Sequence, residues 1–151
     1  DGSAASAIRV GEHTDFGMNT VLFLDAGARG LQVKPVSGGE VGGAAAGEDG
    51  QWLDVDAPDI AGAVLNTGAL LARWTNDRWN ATAHRVIVPD STVAATSRYS
   101  IACFMDPDAD AKIAVHPHFV GAGEQPRYEE TTGGEYVAMK LRAAQEQMPV
   151  V

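Results

Sequence analysis

Two side chains of metal-binding type, His13 and Asp15, lie one residue apart near the start of the chain. Residues two apart on a strand point to the same face, so we expect this imidazole and this carboxylate to converge. His84, at the start of a later strand-like segment, offers a second imidazole. Two histidines and one carboxylate on one face of a metal leave the opposite positions open, as a non-haem Fe(II) centre requires. Taken alone, a His-x-Asp tripeptide is more typical of a solvated loop.

A second pair, Arg98 and Ser100, has the same spacing. On a strand, the guanidinium and the hydroxyl would share a face and could grip one carboxylate together. The charged, two-pronged contact of the arginine would supply most of the attraction. The alternative for this pair alone is a surface arginine beside a nearby acid.

Charge and composition restrict the class of protein. The 151 residues include 11 basic and 20 acidic ones, a formal net charge of −9, and the basic residues are scattered among acids. Nucleic-acid binders cluster Lys and Arg, so we expect no nucleic-acid partner. No apolar run approaches the ~20 residues of a membrane span, so we expect no membrane contact. The single cysteine, Cys103, gives no intrachain disulfide, which predicts a cytoplasmic protein.

The elements that must position these side chains are short. The chain contains 17 Gly and 7 Pro, which favours short strands joined by turns and a mainly β fold. Residues 31–33 are predicted to return as a hairpin on 21–24, after a turn over 25–30. Strand pieces are predicted at 8–10, 13–16, 21–24, 31–33, 52–55, 63–66, 84–88 and 98–104, a loop over 38–50, one helical turn over 68–74, and an amphipathic helix over 134–147.

Several short blocks stand together in an order that resembles the isopenicillin N synthase-like family of Fe(II)/2-oxoglutarate oxygenases. The match runs from about residue 8 to residue 107, and the tail from Pro117 to Leu141 is similar more loosely. Blocks in a shared order are far more specific than any one of them. They are His13-Thr14-Asp15-Phe16-Gly17, Gly30-Leu31-Gln32-Val33, Gly50-Gln51-Trp52, Val64-Leu65-Asn66-Thr67-Gly68, Trp74-Thr75-Asn76, His84-Arg85-Val86 and Arg98-Tyr99-Ser100.

The resemblance implies a double-stranded β-helix, or jelly roll, with a C-terminal flanking helix. It implies that iron is held by His13, Asp15 and His84. It further implies that Arg98 and Ser100 bind the distal carboxylate of 2-oxoglutarate. Three apolar residues are expected to pack against the co-substrate or form the floor of its pocket: Val86, Leu22 and Leu24.

The function implied is that of a 2-oxoglutarate-dependent oxygenase. Such an enzyme uses Fe(II) and O₂, decarboxylates 2-oxoglutarate to succinate, and hydroxylates or desaturates a small organic substrate. A second interpretation is an Fe(II) oxidase of the same fold that needs no 2-oxo acid, in which Arg98 and Ser100 grip the substrate's own carboxylate. A third is a non-catalytic binding or scaffold fragment, against which the complete ligand set argues. Production of succinate separates the first two.

The chain departs from the family pattern in several places. Ala69 stands where the family usually has an acid, and Trp79 where it usually has Tyr or Phe. The family's helical region and early strands before His-x-Asp have no counterpart here. We therefore expect residues 1–151 to form a single catalytic domain whose pocket is completed by an upstream segment or a partner chain.

Overall fold

The computed structural model describes residues 7–35, 40–41, 44–45, 50–55, 62–88 and 99–146. Within these ranges, no helix is both long and apolar enough to cross a membrane. The helices are α1 (Ala69–Trp74) and α2 (Gly133–Glu146), with a 3-10 turn at Pro117–Phe119. The strands are β1 (Ile8–His13), β2 (Asn19–Leu24), β3 (Leu31–Lys34), β4 (Glu40–Val41), β5 (Ala44–Ala45), β6 (Leu53–Asp54), β7 (Gly62–Thr67), β8 (Ala83–Ile87), β9 (Ser100–Met105), β10 (Lys112–Ile113) and β11 (Thr131–Thr132).

The strands form a four-stranded sheet in the order β1-β8-β3-β6 and a three-stranded sheet in the order β7-β2-β9. Two short pairs, β10-β11 and β4-β5, complete the described strands, and β4-β5 falls inside the segment predicted as a loop. The prediction of a mainly β protein is therefore confirmed. Every strand pair with an assigned register is antiparallel.

The predicted hairpin of β2 and β3 is wrong. β2 lies in the three-stranded sheet, whereas β3 lies in the four-stranded sheet between β8 and β6. The turn joining them contains Gly27 and Gly30, both with positive φ, at 70° and 96°. This connection is longer than the tight turns that close hairpins, so nothing obliges the two strands to pair. The chain passes from one sheet to the other at this turn.

The described residues form two compact units. The first contains the four-stranded sheet, and Leu24 and Leu31 are buried at its core. Burial alternates along β3: Leu31 and Val33 are buried, whereas Gln32 and Lys34 are half-buried. Period-2 alternation is what a sheet with one face on a core requires. The partly buried residues packed against Leu24 and Leu31 are Leu22, Ala28, Val55, Val64 and Val86.

The second unit contains both helices and the β10-β11 pair, with Leu70, Ile113 and Tyr136 at its core. The Arg73 guanidinium of α1 lies 4.9 Å from the Tyr128 ring centroid and 5.6 Å from that of Tyr136. Its Nη2 donates to the Glu129 carbonyl at 2.6 Å. Stacking of an arginine on aromatic faces adds cation–π attraction to the buried apolar contact. Helix α1 is thereby tied to the segment that precedes α2.

A turn after α1 makes further contacts with that segment. Asn76 and Asp77 both have positive φ, at 54° and 63°. The Asp77 carboxylate accepts hydrogen bonds from the Tyr128 hydroxyl at 2.8 Å and from Arg127 Nη1 at 3.0 Å. Asn76 accepts from the Arg127 amide at 3.0 Å. Burial, followed by the bond to Asp77, raises the pKa of Tyr128 above its usual range. Asn and Asp tolerate left-handed backbone better than other non-glycine residues, which suits them to this turn.

Helix α2 begins with a capping box. The Thr132 hydroxyl accepts from the Glu135 amide at 3.3 Å, and the Glu135 carboxylate accepts from the Thr132 amide at 3.1 Å. Reciprocal bonds of this kind satisfy amides that have no partner within the helix. The helix begins at Gly133, one residue earlier than predicted. The amphipathic pattern placed both Tyr136 and Leu141 on the apolar side of this helix, but only Tyr136 is buried, whereas Leu141 is 50% exposed.

We expect Glu135→Ala to lower the melting temperature at pH 7. Hydrogen bonds from the Thr132 amide and two threonine hydroxyls hold the pKa of Glu135 below its ordinary value. A depressed folded-state pKa stabilises the fold above the unfolded-state pKa and loses that effect as pH falls through the folded-state pKa. The difference in melting temperature between the variant and the wild type should therefore become smaller as the pH falls below the ordinary glutamate pKa of about 4.3. Thermal denaturation at several pH values, monitored by circular dichroism, measures this difference.

Glu146→Ala provides the matched control, because Glu146 is exposed on the same helix but at its C-terminal end. An acid there opposes the helix dipole, so its removal should not lower the melting temperature. A pH-independent difference for Glu135→Ala would contradict the role of the carboxylate charge.

The segment between β1 and β2 is held by α1. The Ala69 amide donates to the Asp15 carbonyl at 2.8 Å, and the Leu70 amide donates to the carbonyls of Phe16 and Gly17 at 3.1 Å. The first amides of a helix have no partner within it, so these carbonyls satisfy them. The approach is close: a Cβ on Gly68 would clash with the Gly17 carbonyl oxygen and lie 3.1 Å from the Asp15 carbonyl oxygen. Only glycine fits at position 68 without movement of the Asp15 segment.

Gly68→Ala should destabilise the protein, because its Cβ would displace the backbone that carries Asp15. Overpacking of this kind costs about 1–3 kcal/mol. For a chain of this size each kcal/mol lowers the melting temperature by roughly 2–4 °C. Gly11→Ala is the control, because a Cβ at Gly11 meets nothing within 4 Å. Equal melting temperatures for Gly68→Ala and Gly11→Ala would show that the segment carrying Asp15 can move without a loss of stability.

Candidate metal centre

The two histidines of the predicted ligand set face each other across neighbouring strands. His13 ends β1 and is paired with His84 in the antiparallel β1-β8 register. Their ring centroids lie 4.3 Å apart with the ring planes tilted by 52°. On its other side, His84 is paired with Val33 of β3. An inner strand of the four-stranded sheet therefore holds His84, while His13 on the edge strand is exposed.

Asp15 reaches the histidines by a route that differs from the prediction. The predicted strand over 13–16 is wrong, since β1 ends at His13 and Asp15 lies in the segment held by α1. The backbone carbonyls of this segment accept hydrogen bonds from helix amides, and the segment does not continue strand β1. The argument from a shared strand face does not apply to Asp15. Its carboxylate is placed by the turn of the backbone after His13, and the residue is 9% exposed.

The structure brings the three side chains together. One ligand atom from each of His13, Asp15 and His84 lies within 4.8 Å of the others. Two imidazole nitrogens and a carboxylate oxygen form the facial donor set that suits non-haem Fe(II). The residues present therefore fit an iron ion by the chemistry of their donors.

The tautomers of the two histidines also suit a metal. His13 Nδ1 lies 2.8 Å from the Gly11 carbonyl oxygen, and His84 Nδ1 lies 3.0 Å from the Thr82 carbonyl oxygen. A carbonyl oxygen only accepts, so each Nδ1 carries a proton, and in a neutral imidazole Nε2 then carries the lone pair that a metal requires. Bonds from the non-ligating nitrogen to backbone carbonyls are the usual means of orienting histidine ligands.

The Asp15 carboxylate has two donors that the sequence analysis assigned no role. Thr20 Oγ1 donates to Asp15 Oδ2 at 2.5 Å, and Asn66 Nδ2 donates to the same oxygen at 2.8 Å. Asn66 lay inside a block that carried the family resemblance, which was the available signal. Thr20 stands just before the strand predicted over 21–24, and nothing in the sequence pointed to it.

Of the remaining predicted site residues, four lie within the described residues. Val86, Leu22 and Leu24 belong to one apolar cluster around Leu24 and Leu31, and Val86 shares a strand face with His84. Ser100 is the first residue of β9 and is exposed. Arg98 lies outside the described residues, so its pairing with Ser100 stays a prediction.

Comparison with known proteins identifies a family. The family model of the 2OG-Fe(II) oxygenase superfamily matches residues 2–107. The 2-oxoglutarate-Fe(II) type oxidoreductase ppzD of Metarhizium majus is 34% identical over 89% of this chain and 36% of its own length. The proline hydroxylase buaE of Petromyces alliaceus is 34% identical over 89% of this chain and 40% of its own length. The chain thus spans well under half the length of these relatives.

Solved structures agree with the sequence comparison. A full-length Neurospora crassa protein, solved in complex with alpha-KG, superposes with a TM-score of 0.71 and 35% identity, covering 91% of this chain and 38% of its own. A 2OG-Fe(II) oxygenase family protein of Caulobacter crescentus gives a TM-score of 0.74 and 32% identity, covering 90% and 40%. These similarities confirm the predicted fold class, a mainly β double-stranded β-helix with a C-terminal helix. With its family match over 2–107, the chain belongs to the 2OG-Fe(II) oxygenase superfamily, whose members use Fe(II) and 2-oxoglutarate.

Proposed function

We propose that this chain provides the iron centre of a 2-oxoglutarate-dependent oxygenase. The observation that carries the proposal is the convergence of His13, Asp15 and His84 to within 4.8 Å. In both imidazoles Nδ1 is bonded to a backbone carbonyl, which leaves Nε2 as the nitrogen for a metal. Family membership makes Fe(II) the expected ion, rather than another metal that two imidazoles and a carboxylate would bind.

Bound Fe(II) would supply the activation of O₂ that drives decarboxylation of 2-oxoglutarate to succinate and oxidation of the substrate. The protein's part is to bind and orient the reactants and to exclude water. Arg98, with Ser100, is proposed to hold the distal carboxylate of 2-oxoglutarate by a charged bidentate contact. Val86 is proposed to pack against the carbon chain of the co-substrate, because it follows His84 on the same face of β8. The neighbouring Leu22 and Leu24 are proposed to face the pocket or to form its floor.

The substrate class proposed is a small organic molecule, oxidised with O₂ by hydroxylation or desaturation. Among the relatives, one is named a proline hydroxylase, and the Neurospora crassa protein has also been solved with thymine. Relatives named for 2-oxoglutarate support this co-substrate over an oxidase that uses none. Residues 1–151 are proposed to act as one catalytic domain. A cytoplasmic location stays a prediction from the single cysteine.

The ligand set is tested by His84→Ala. Loss of one imidazole should abolish stoichiometric Fe(II) binding and turnover together, because two ligands do not complete the facial set. Anaerobic Fe(II) titration by calorimetry and assay of succinate release measure the two effects. His118→Ala, which removes an exposed histidine on the 3-10 turn, should leave both intact. Retention of one Fe(II) per chain by His84→Ala would reject the assignment.

The carboxylate clamp is tested by Arg98→Ala. A buried carboxylate that loses its guanidinium partner is destabilised by roughly 3–5 kcal/mol. Binding of 2-oxoglutarate should therefore weaken by about a hundredfold or more, since each ~1.4 kcal/mol is tenfold. Fe(II) binding should be nearly unchanged, and Arg98→Lys should recover only part of the loss because lysine is a point charge. Titration of the anaerobic Fe(II) protein with 2-oxoglutarate, followed by its metal-to-ligand charge-transfer band, measures the affinity.

Arg29→Ala, at an exposed arginine in the turn before β3, is the matched control. Equal affinity for 2-oxoglutarate in wild type and Arg98→Ala would reject the clamp. If neither protein shows the band while substrate is still oxidised without succinate, the enzyme is an oxidase independent of 2-oxo acids.

A further inference from the structure

The Asp15 carboxylate is held by side chains from two neighbouring strands. Thr20 stands in β2 and Asn66 in β7, which lie next to each other in the three-stranded sheet. Both donate to Oδ2 of Asp15, at 2.5 Å and 2.8 Å. A carboxylate can otherwise turn about its bond to Cβ, and this torsion is broad. Two donors on one oxygen therefore select a single plane for the group.

The positions of the two donors are unusual for their strands. Thr20 is 4% exposed and shares a face of β2 with Leu22 and Leu24, where an apolar residue would be expected. Asn66 shares a face of β7 with Val64, which packs on the Leu24 and Leu31 cluster. A polar side chain on an apolar face is costly unless it is hydrogen-bonded. In both cases a partner that satisfies it is the Asp15 carboxylate.

We propose that Thr20 and Asn66 are positioning residues for the iron ligand Asp15. This inference rests on the proposed function, in which Asp15 coordinates Fe(II). A carboxylate must be ionised to bind a metal, and hydrogen bonds to an ionised acceptor are the stronger, charge-assisted kind. The pair fixes the plane of the carboxylate before metal arrives, so that binding need not order it. Thr20 and Asn66 act through Asp15 and contact no reactant themselves.

The experiment uses near-isosteric variants that delete the donors and keep the volume. Thr20→Val and Asn66→Leu each remove one hydrogen bond to Asp15. Loss of a partner that orients a metal ligand typically costs 10–100-fold in metal affinity, so we expect each variant to bind Fe(II) about that much more weakly. Anaerobic calorimetry measures the affinity, and the visible d–d spectrum of the Co(II)-loaded chain reports the geometry of coordination.

Two further variants separate positioning from general stability. Thr20→Ser keeps the hydroxyl and should recover most of the Fe(II) affinity lost in Thr20→Val. Thr67→Val is the matched control, because Thr67 also lies in β7 but donates to the Asn80 carbonyl at 2.7 Å. It should leave the affinity and the Co(II) spectrum unchanged. Circular dichroism at the titration temperature establishes that each variant is folded.

The outcomes distinguish this inference from the proposed function. If wild type binds Fe(II), His84→Ala does not, and folded Thr20→Val and Asn66→Leu bind like wild type, the positioning role is wrong and the iron site stands. A loss in Thr20→Val that Thr20→Ser does not recover also overturns it, because the hydroxyl is then irrelevant. If wild type binds no metal through His84, the proposed function fails and this inference fails with it.

Discussion

The candidate site depends on one constraint, a set of backbone hydrogen bonds at the start of α1. In this set, the amides of the N-cap residue Gly68 and of the first helical residues donate to the carbonyls of residues 15–18. These bonds connect Ala69 to Asp15 at 2.8 Å and Gly68 to Met18 at 2.8 Å. The first amides of a helix have no hydrogen-bond partner within the helix, and the carbonyls of a segment that has left a strand have no partner in the sheet. Each set satisfies the other. The result is a defined path for the backbone between His13, at the end of β1, and Thr20 in β2.

That path decides where the carboxylate lies, and sheet register decides where the imidazoles lie. Antiparallel pairing of β1 with β8 sets His13 opposite His84. The register between Ile8 and His13 is irregular, with shifts on either side of Val10. A shift of one residue turns a side chain to the other face of a sheet, so such irregularities determine which residues face the site.

The two faces of the four-stranded sheet carry different kinds of contact along β8. His84 and Val86 share one face, and Arg85 between them lies on the other. The Arg85 guanidinium stacks 4.1 Å from the Trp52 ring centroid and donates through Nε to Gln32 at 2.7 Å. These contacts join β8, β3 and the residue before β6 by aromatic stacking and hydrogen bonds. Strand alternation thus places stabilising contacts on one face and the candidate chemistry on the other.

The sequence by itself determined the family and the types and order of the candidate metal ligands, because His-x-Asp, the later His-Arg-Val and the blocks between them are local patterns. It also located most strands and α2, since period-2 alternation and an amphipathic stripe are properties of single segments. The tertiary structure decided what depends on distant partners. β2 and β3 occupy different sheets because β3 pairs with β8 and β6, and Asp15 leaves the strand because α1 captures its backbone. The hydrogen bond from Asn66 to Asp15 depends on the pairing of β2 with β7, and because the two residues are 51 apart in the chain, local spacing gives no sign of it.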